Sequence, residues 1–211
     1  YDTFNEENDK SKLILYDPNE RTFELMYEDP TYDVAGPVGG CRTASGGASI
    51  DEKTNELIYV SYYAEKPVRL FFDDEVQQTN DMLEAAFPGE IVRPVTWSKD
   101  RNKVVLSVSS SSNPGDFYYF DKENMILTFL WDRSPWMDRN KLAKKTPIKY
   151  TARDGLEIYG YLTLPLGSSG KNLPMVVHPH GGPNVRDTIR YDTYVQFLES
   201  RGYAVFQPNF R

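Results

Sequence analysis

LPMVVHPHGGPNVRD, residues 173–187, decides how the last third of this 211-residue chain is read. Met175-Val176-Val177 is a short apolar run with two β-branched residues and reads as a buried strand. The run stops at His178-Pro179-His180-Gly181-Gly182-Pro183, where prolines without an N–H and freely turning glycines favour a loop. Further on, Tyr191, Tyr194, Val195 and Leu198 recur at helical spacing, with Gly202 as a stop signal. Residues 203–206 then read as another strand. Strand, glycine loop, helix and strand in this order point to an α/β sheet.

The loop has a chemical use. Acyl transfer builds negative charge on the attacked carbonyl oxygen, and preorganised N–H donors stabilise it. In α/β-hydrolases one donor comes from a loop after a sheet strand, often of HGGG type. Here His180-Gly181-Gly182-Pro183 is of that type and lies between a strand and a helix. Arg186, followed by Asp187, is a weaker candidate for facing a substrate, with a structural role the more ordinary reading. A plain tight turn is the ordinary reading of His180-Gly181-Gly182 taken without its flanking strand and helix.

Working outward, IKYTARDGLEIYGYLTLP (148–165) holds two strands around the hairpin signal Asp154-Gly155, and Gly167-Ser168-Ser169-Gly170 is a loop. DRSPWMDRNKLAKKTP (132–147) is polar and carries two prolines, so it reads as a linker, narrowed to 136–147. Before it lie short strands at 13–16, 23–27, 57–62, 68–72, 104–108, 117–120 and 126–131. Polar turns such as Asp17-Pro18-Asn19-Glu20 join them, and no long helical pattern intervenes. This predicts an all-β region over 1–135.

That region repeats weakly. SIDEKTNELIYVS (49–61) resembles SKDRNKVVLSVS (98–109), each with Ser-x-Asp, a polar turn with Asn and a β-rich run. Each is followed by a linker containing a proline, Pro67 or Pro114, and a strand ending in Phe-Asp (Phe72-Asp73, Phe120-Asp121). Tyr16-Asp17 is a third such ending. A period of about 50 residues is that of a four-stranded propeller blade, so about two and a half blades are expected. The fold class expected is therefore partial β-propeller over 1–135, linker, and the N-terminal part of an α/β-hydrolase domain over 148–211. The absence of Met at the start, and the nearness of the strand around Val205 to Arg211, lead to the expectation of an internal piece of a longer protein.

Composition bounds the partners. The formal net charge of −7 argues against a nucleic-acid surface. No apolar run approaches the ~20 residues needed to cross a membrane, and residues 1–7 lack the basic and apolar parts of a signal peptide. The fifteen tyrosines argue against a disordered chain. The single cysteine, Cys41, allows no intrachain disulfide and leaves cytoplasm and periplasm both open.

From Trp136 onward, ARDGLEIYGYLTLP, LPMVVHPHGGP, Arg186-Asp187, QFLESRGYAVFQPNFR and Ser134-Pro135-Trp136 resemble the prolyl oligopeptidase family of serine peptidases, in its acylaminoacyl-peptidase-like bacterial branch. The resemblance implies a propeller before an α/β-hydrolase domain, short peptides as substrates, no cofactor, and a Ser-Asp-His triad beginning at a G-x-S-x-G elbow; it also implies half of an oxyanion hole here, with the N–H of Gly182 as donor, Gly181 making room, and His180 bracing the loop or contacting the oxyanion. No such elbow occurs in the chain: Gly167-Ser168-Ser169-Gly170 has the wrong spacing, and Ser45 lacks the leading glycine. No catalytic triad residue is therefore assigned here; the triad is expected beyond Arg211, the chain alone is expected to be inactive, and the remainder of the same polypeptide is an implied partner. A homo-oligomer is a further possibility. The competing class is a propeller with a degenerate hydrolase domain that binds peptides or proteins without turnover; a simple esterase with the same loop fits less well, because it lacks blades.

Other features have ordinary readings. His178 and His180, placed on one face of a strand, fall short of the three or four ligands of a zinc site. Cys41 has no local partner for nucleophilic chemistry. The glycine-rich run 36–47 lacks the Gly-Lys-Ser/Thr of a phosphate loop, and Asp73-Asp74-Glu75 reads as a solvated turn.

Overall fold

Aspartates placed just before polar turns build most of the hairpins. In the computed structural model, which describes residues 10–34, 47–51, 53–182 and 185–209, β1 (Leu13–Asp17) and β2 (Thr22–Tyr27) pair antiparallel. The Asp17 carboxylate accepts the N–H groups of Asn19 (2.7 Å) and Glu20 (3.2 Å), and Arg21 closes the turn at φ +55°. Asp51 does the same for Lys53 and Thr54, with Asn55 at φ +59°. Asp121 accepts from Asn124, with Met125 at φ +54°. In each case a short acidic side chain satisfies turn donors that have no ladder partner. Cys41, Ser45, the run 36–46, Pro183 and Arg211 lie outside the described residues.

The chain forms two compact units, 1–79 with 181–188, and 80–180 with 189–211. The first holds the β1–β2 pair and an antiparallel meander of β3 (Gly47–Ile50), β4 (Leu57–Tyr63) and β5 (Pro67–Phe71). Leu13, Val34, Val60 and Tyr62 form its core, flanked by Met26, Leu57, Val68 and Leu70. The buried Tyr62 hydroxyl donates to Asp29 Oδ2 at 2.8 Å, and burial followed by the bonds to Tyr27 and Asp29 raises its pKa well above the usual phenol value.

In the second unit β6 (Ile91–Trp97), β7 (Lys103–Ser110), β8 (Asn113–Asp121) and β9 (Ile126–Asp132) make a four-stranded antiparallel meander in sequence order. Its core is Val92, Val104, Leu106, Val108 and Phe120, joined by Leu83 from the helix α1 (Asp74–Ala86). That helix is the one element of 1–135 among the described residues that departs from an otherwise all-strand region. After Phe72 the expected strand-ending aspartate, Asp73, accepts the N–H groups of Glu75 (3.0 Å) and Val76 (3.1 Å) and starts a helix instead of a hairpin. The acidic triplet Asp73-Asp74-Glu75 is thus a helix start. The prolines expected in linkers lie in strands, Pro67 opening β5 and Pro114 within β8. The β3–β5 sheet has three strands where a propeller blade has four, and no closed ring of sheets forms among the described residues.

The polar stretch after β9 is pinned down. A 3₁₀ turn, Arg139–Lys141, is capped by Asp138. The Arg139 guanidinium grips Asp116 in bidentate fashion and lies 2.8 Å from Asp132. Asn113 donates to both Asp116 and Glu90 at 3.1 Å. The strand expected from Ile148 begins earlier, at Lys145.

The last sheet has the order β10-β11-β13-β12. β10 (Lys145–Thr151) and β11 (Glu157–Thr163) form the hairpin signalled by Asp154-Gly155. β13 (Ala204–Pro208) is antiparallel to β11, and β12 (Met175–Val177) is parallel to β13. The connection from β12 to β13 carries helix α2 (Thr193–Glu199). Gly160 lets β11 approach β13: a Cβ there would lie 2.6 Å from the Gln207 carbonyl oxygen. Val205 is fully buried, as expected, but β12 is not the buried strand its apolar run suggested. It is the sheet edge, and Met175 and Val177 are 56% and 54% exposed.

Candidate oxyanion loop

The loop begins where β12 runs out of ladder. Ala204 N–H donates to Pro174 O (2.9 Å), and His178 N–H donates to Phe206 O (2.8 Å), so the parallel pairing continues one residue past Val177. The strand ends before His180, so the two histidines do not share a strand face. His178 instead lays its ring against Tyr194 of α2, with centroids 5.0 Å apart, and its Nδ1 is buried. Among the described residues no three of His, Cys, Asp and Glu come together as a metal site.

His180 is half-buried, while Gly181 and Gly182 are exposed. A Cβ added to Gly181 would meet nothing within 4 Å. Its φ lies outside the left-handed region, so neither strain nor crowding by the described chain demands glycine there. The loop lies at the carboxyl end of a parallel strand, the end of open α/β sheets where ligands bind.

Downstream, Arg186 is turned toward the protein's own main chain. Its Nη1 donates to Tyr63 O (2.8 Å) and its Nη2 to Ala64 O (3.1 Å), at the end of β4. The guanidinium carbon is 5.6 Å from the centroid of the Tyr63 ring. Asp192 then caps α2: its φ of −139° is extended, and Oδ1 accepts the N–H groups of Tyr194 (2.9 Å) and Val195 (3.2 Å). Lys145, almost fully buried, has its Nζ 4.0 Å from Asp192 Oδ2.

The inward side of α2 is more polar than its sequence pattern suggested. Gln196 is 5% exposed and saturates its amide: Nε2 donates to Ser111 O (3.0 Å) and Ala143 O (2.8 Å), and Oε1 accepts from Ala143 N–H (3.0 Å). Glu199, one turn on, is also buried. Burial raises its pKa above the usual carboxylate value, against the pull of the Leu166 and Ala143 N–H groups. Gln196, Glu199, Lys145 and the Asp116–Arg139–Asp132 cluster escaped the sequence reading. The one local signal was a Gln and a Glu three apart beside the apolar Val195, on what proves to be the inward face.

No protein-family model matches the chain. It is 30% identical over 194 residues to dipeptidyl aminopeptidase BIII of Pseudoxanthomonas mexicana, covering 89% of this chain and 26% of that protein. The solved structure of a puromycin hydrolase superposes with a TM-score of 0.62 at 21% identity, covering 94% of this chain and 30% of that one. A prolyl endopeptidase structure superposes with a TM-score of 0.58 at 14% identity, covering 95% and 28%. The fold is thus that of a sheet-rich segment of a peptidase. The chain is similar to peptidases in sequence and fold, and spans about a quarter of the length of the curated relative it matches.

Proposed function

We propose that residues 1–211 are the junction of a serine-type peptidase acting on short peptides, with propeller blades over 1–135, a connecting segment over 136–147, and the start of an α/β-hydrolase domain over 148–211. The observation that carries this reading is the crossover from β12 to β13, which delivers two exposed glycines at the carboxyl end of a parallel strand. Gly182 donates its N–H to the oxyanion, Gly181 leaves the approach open, and His180 braces the turn. A serine supplied by sequence outside 1–211 attacks the peptide carbonyl. The tetrahedral oxyanion collapses to an acyl-enzyme as the amine leaves, and water then releases the acid. Kinship to a dipeptidyl aminopeptidase makes release of dipeptides from a free N-terminus the first activity to assay.

The test compares the complete natural polypeptide carrying this segment with residues 1–211 alone. Each is offered dipeptidyl, acylaminoacyl and internal-prolyl fluorogenic peptides and a serine-directed phosphonate. The complete polypeptide is expected to turn over at least one peptide and to take the label, and residues 1–211 to do neither. An inactive, unlabelled complete polypeptide would favour a peptide-binding protein; saturable turnover by 1–211 alone would refute the assignment of the nucleophile elsewhere.

A further inference from the structure

We infer that residues 133–145 form a strap and not a hinge, fastening the β6–β9 sheet to the β10–β13 sheet so that the two respond as one body. On the peptidase reading above, on which this consequence rests, any opening that admits a peptide then lies elsewhere in the polypeptide. A hinge is a few residues free to absorb a change in φ and ψ. Linkers between domains are exposed segments that few contacts cross. The composition of 133–145, polar and interrupted by Pro135, matches that description. Its bonding is of the opposite kind.

The strap is fastened at three places, all inside the second compact unit. At its start Arg133 N–H donates to Gly115 O (2.9 Å) on β8. In its middle the turn capped by Asp138 presents Arg139 to Asp116 of β8 and Asp132 of β9. A rigid planar fork of donors fixes orientation as well as distance. The Asp116 side chain is 8% exposed, so withdrawing the guanidinium would leave a carboxylate stripped of its counter-charge and largely out of water. At the far end Ala143, itself buried, is held through both its N–H and its carbonyl by the Gln196 amide of α2. Glu199 also accepts from the Ala143 N–H. The same Gln196 Nε2 donates to Ser111 O at the tip of the β7–β8 hairpin, and Ser111 Oγ accepts from Lys145 N–H (3.0 Å). One side-chain amide thus serves hairpin and strap together. It is buried, and a buried polar group that loses its partner costs more than the bond itself contributes. Losing Gln196 takes a partner from Ser111 and from Ala143 at once, so the two attachments loosen together.

The experiment follows amide hydrogen exchange by mass spectrometry in the complete polypeptide that carries this segment. In wild type, residues 139–145 and 109–113 are expected to exchange within about tenfold of the rate in β7, because segments closed into one cooperative unit open together. Faster exchange than that over 139–145 is the behaviour of a hinge and would overturn the proposal. Gln196→Ala is expected to quicken both stretches together, by about tenfold or more for the bonds lost, while β7 stays protected. Quickening of one stretch alone, or of neither, would overturn the shared fastening. If Gln196→Ala fails to fold, Gln196→Met, of similar length but without the amide, decides by the same criterion.

A serine-directed phosphonate separates this claim from the peptidase reading. Labelling is expected to leave exchange over 139–145 unchanged. Slowed exchange there, with β7 unaltered, would mean that the segment opens and closes with the site, and the strap would be refuted. A wild type that takes no label and turns over no peptide, yet shows the protected stretches and their joint response to Gln196→Ala, would sink only the peptidase reading.

Discussion

Single atoms decide several features of this chain. At Gly160 the adjoining strand leaves no room for a methyl group, since a Cβ would lie 2.6 Å from Gln207 O and 2.7 Å from the Phe206 ring. The first of these is backbone that cannot swing away, so Gly160→Ala should cost about 1–3 kcal/mol or more in overpacking, read as a lower urea midpoint. Glu199 makes a prediction with a definite sign. Burial raises its folded-state pKa above the ordinary 4.5, so the folded chain keeps the proton to higher pH than the unfolded chain does. Stability therefore falls as pH rises from the ordinary value through the raised one, and above the raised value the loss is complete. Glu199→Gln keeps an acceptor oxygen for the Leu166 and Ala143 N–H groups and removes the buried charge. Its stability relative to wild type should climb through that window and then level off. Urea titrations between about pH 4 and pH 8 follow this difference; a difference independent of pH would contradict it.

At the scale of elements, the aspartate turns carry a removable cost. Met125 sits at φ +54° with an exposed side chain, and a left-handed non-glycine residue costs about 1–2 kcal/mol. Met125→Gly should raise the melting temperature, with Lys122→Gly in the same turn as the control for added chain flexibility. These turns also explain what the sequence made legible. Asp17, Asp51 and Asp121 announce their hairpins because the side chain acts on donors two or three residues away. The β12–loop–α2–β13 order was legible for the same reason, each signal being local. Helix α1 was not, because an inward position is filled by Thr79. Its buried hydroxyl donates to Glu75 O (2.8 Å), so the apolar period is broken where the packing is not. β6 was hidden by Pro94, tolerated because β6 is the edge of its sheet and is bulged at that point. The apolar content of β12 gave strand correctly and burial wrongly, since composition reports affinity for an apolar neighbour and not whether one is present.

At the scale of the whole molecule, large apolar residues are exposed on several elements, among them Leu15, Phe23 and Leu25 on β1 and β2, Phe129, Leu130 and Trp131 on β9, and Met175, Val177 and Phe197 on β12 and α2. Residues 1–211 alone should therefore bind a hydrophobic dye strongly and self-associate with rising concentration. Sedimentation and dye fluorescence test this, and a dye-silent monomer at high concentration would refute it. Sequence could not reveal the polar joint that holds α2 to the β7–β8 hairpin, because Gln196 meets Ser111 across 85 residues and Ala143 across 53. That separation has a consequence for the order of events during synthesis. With a ribosome adding roughly 5–20 residues per second, the Ser111 carbonyl leaves the exit tunnel roughly 4–17 seconds ahead of the amide that will cap it. The β7–β8 hairpin must wait that long with its tip wet, and the nascent chain closes the joint only once α2 has emerged.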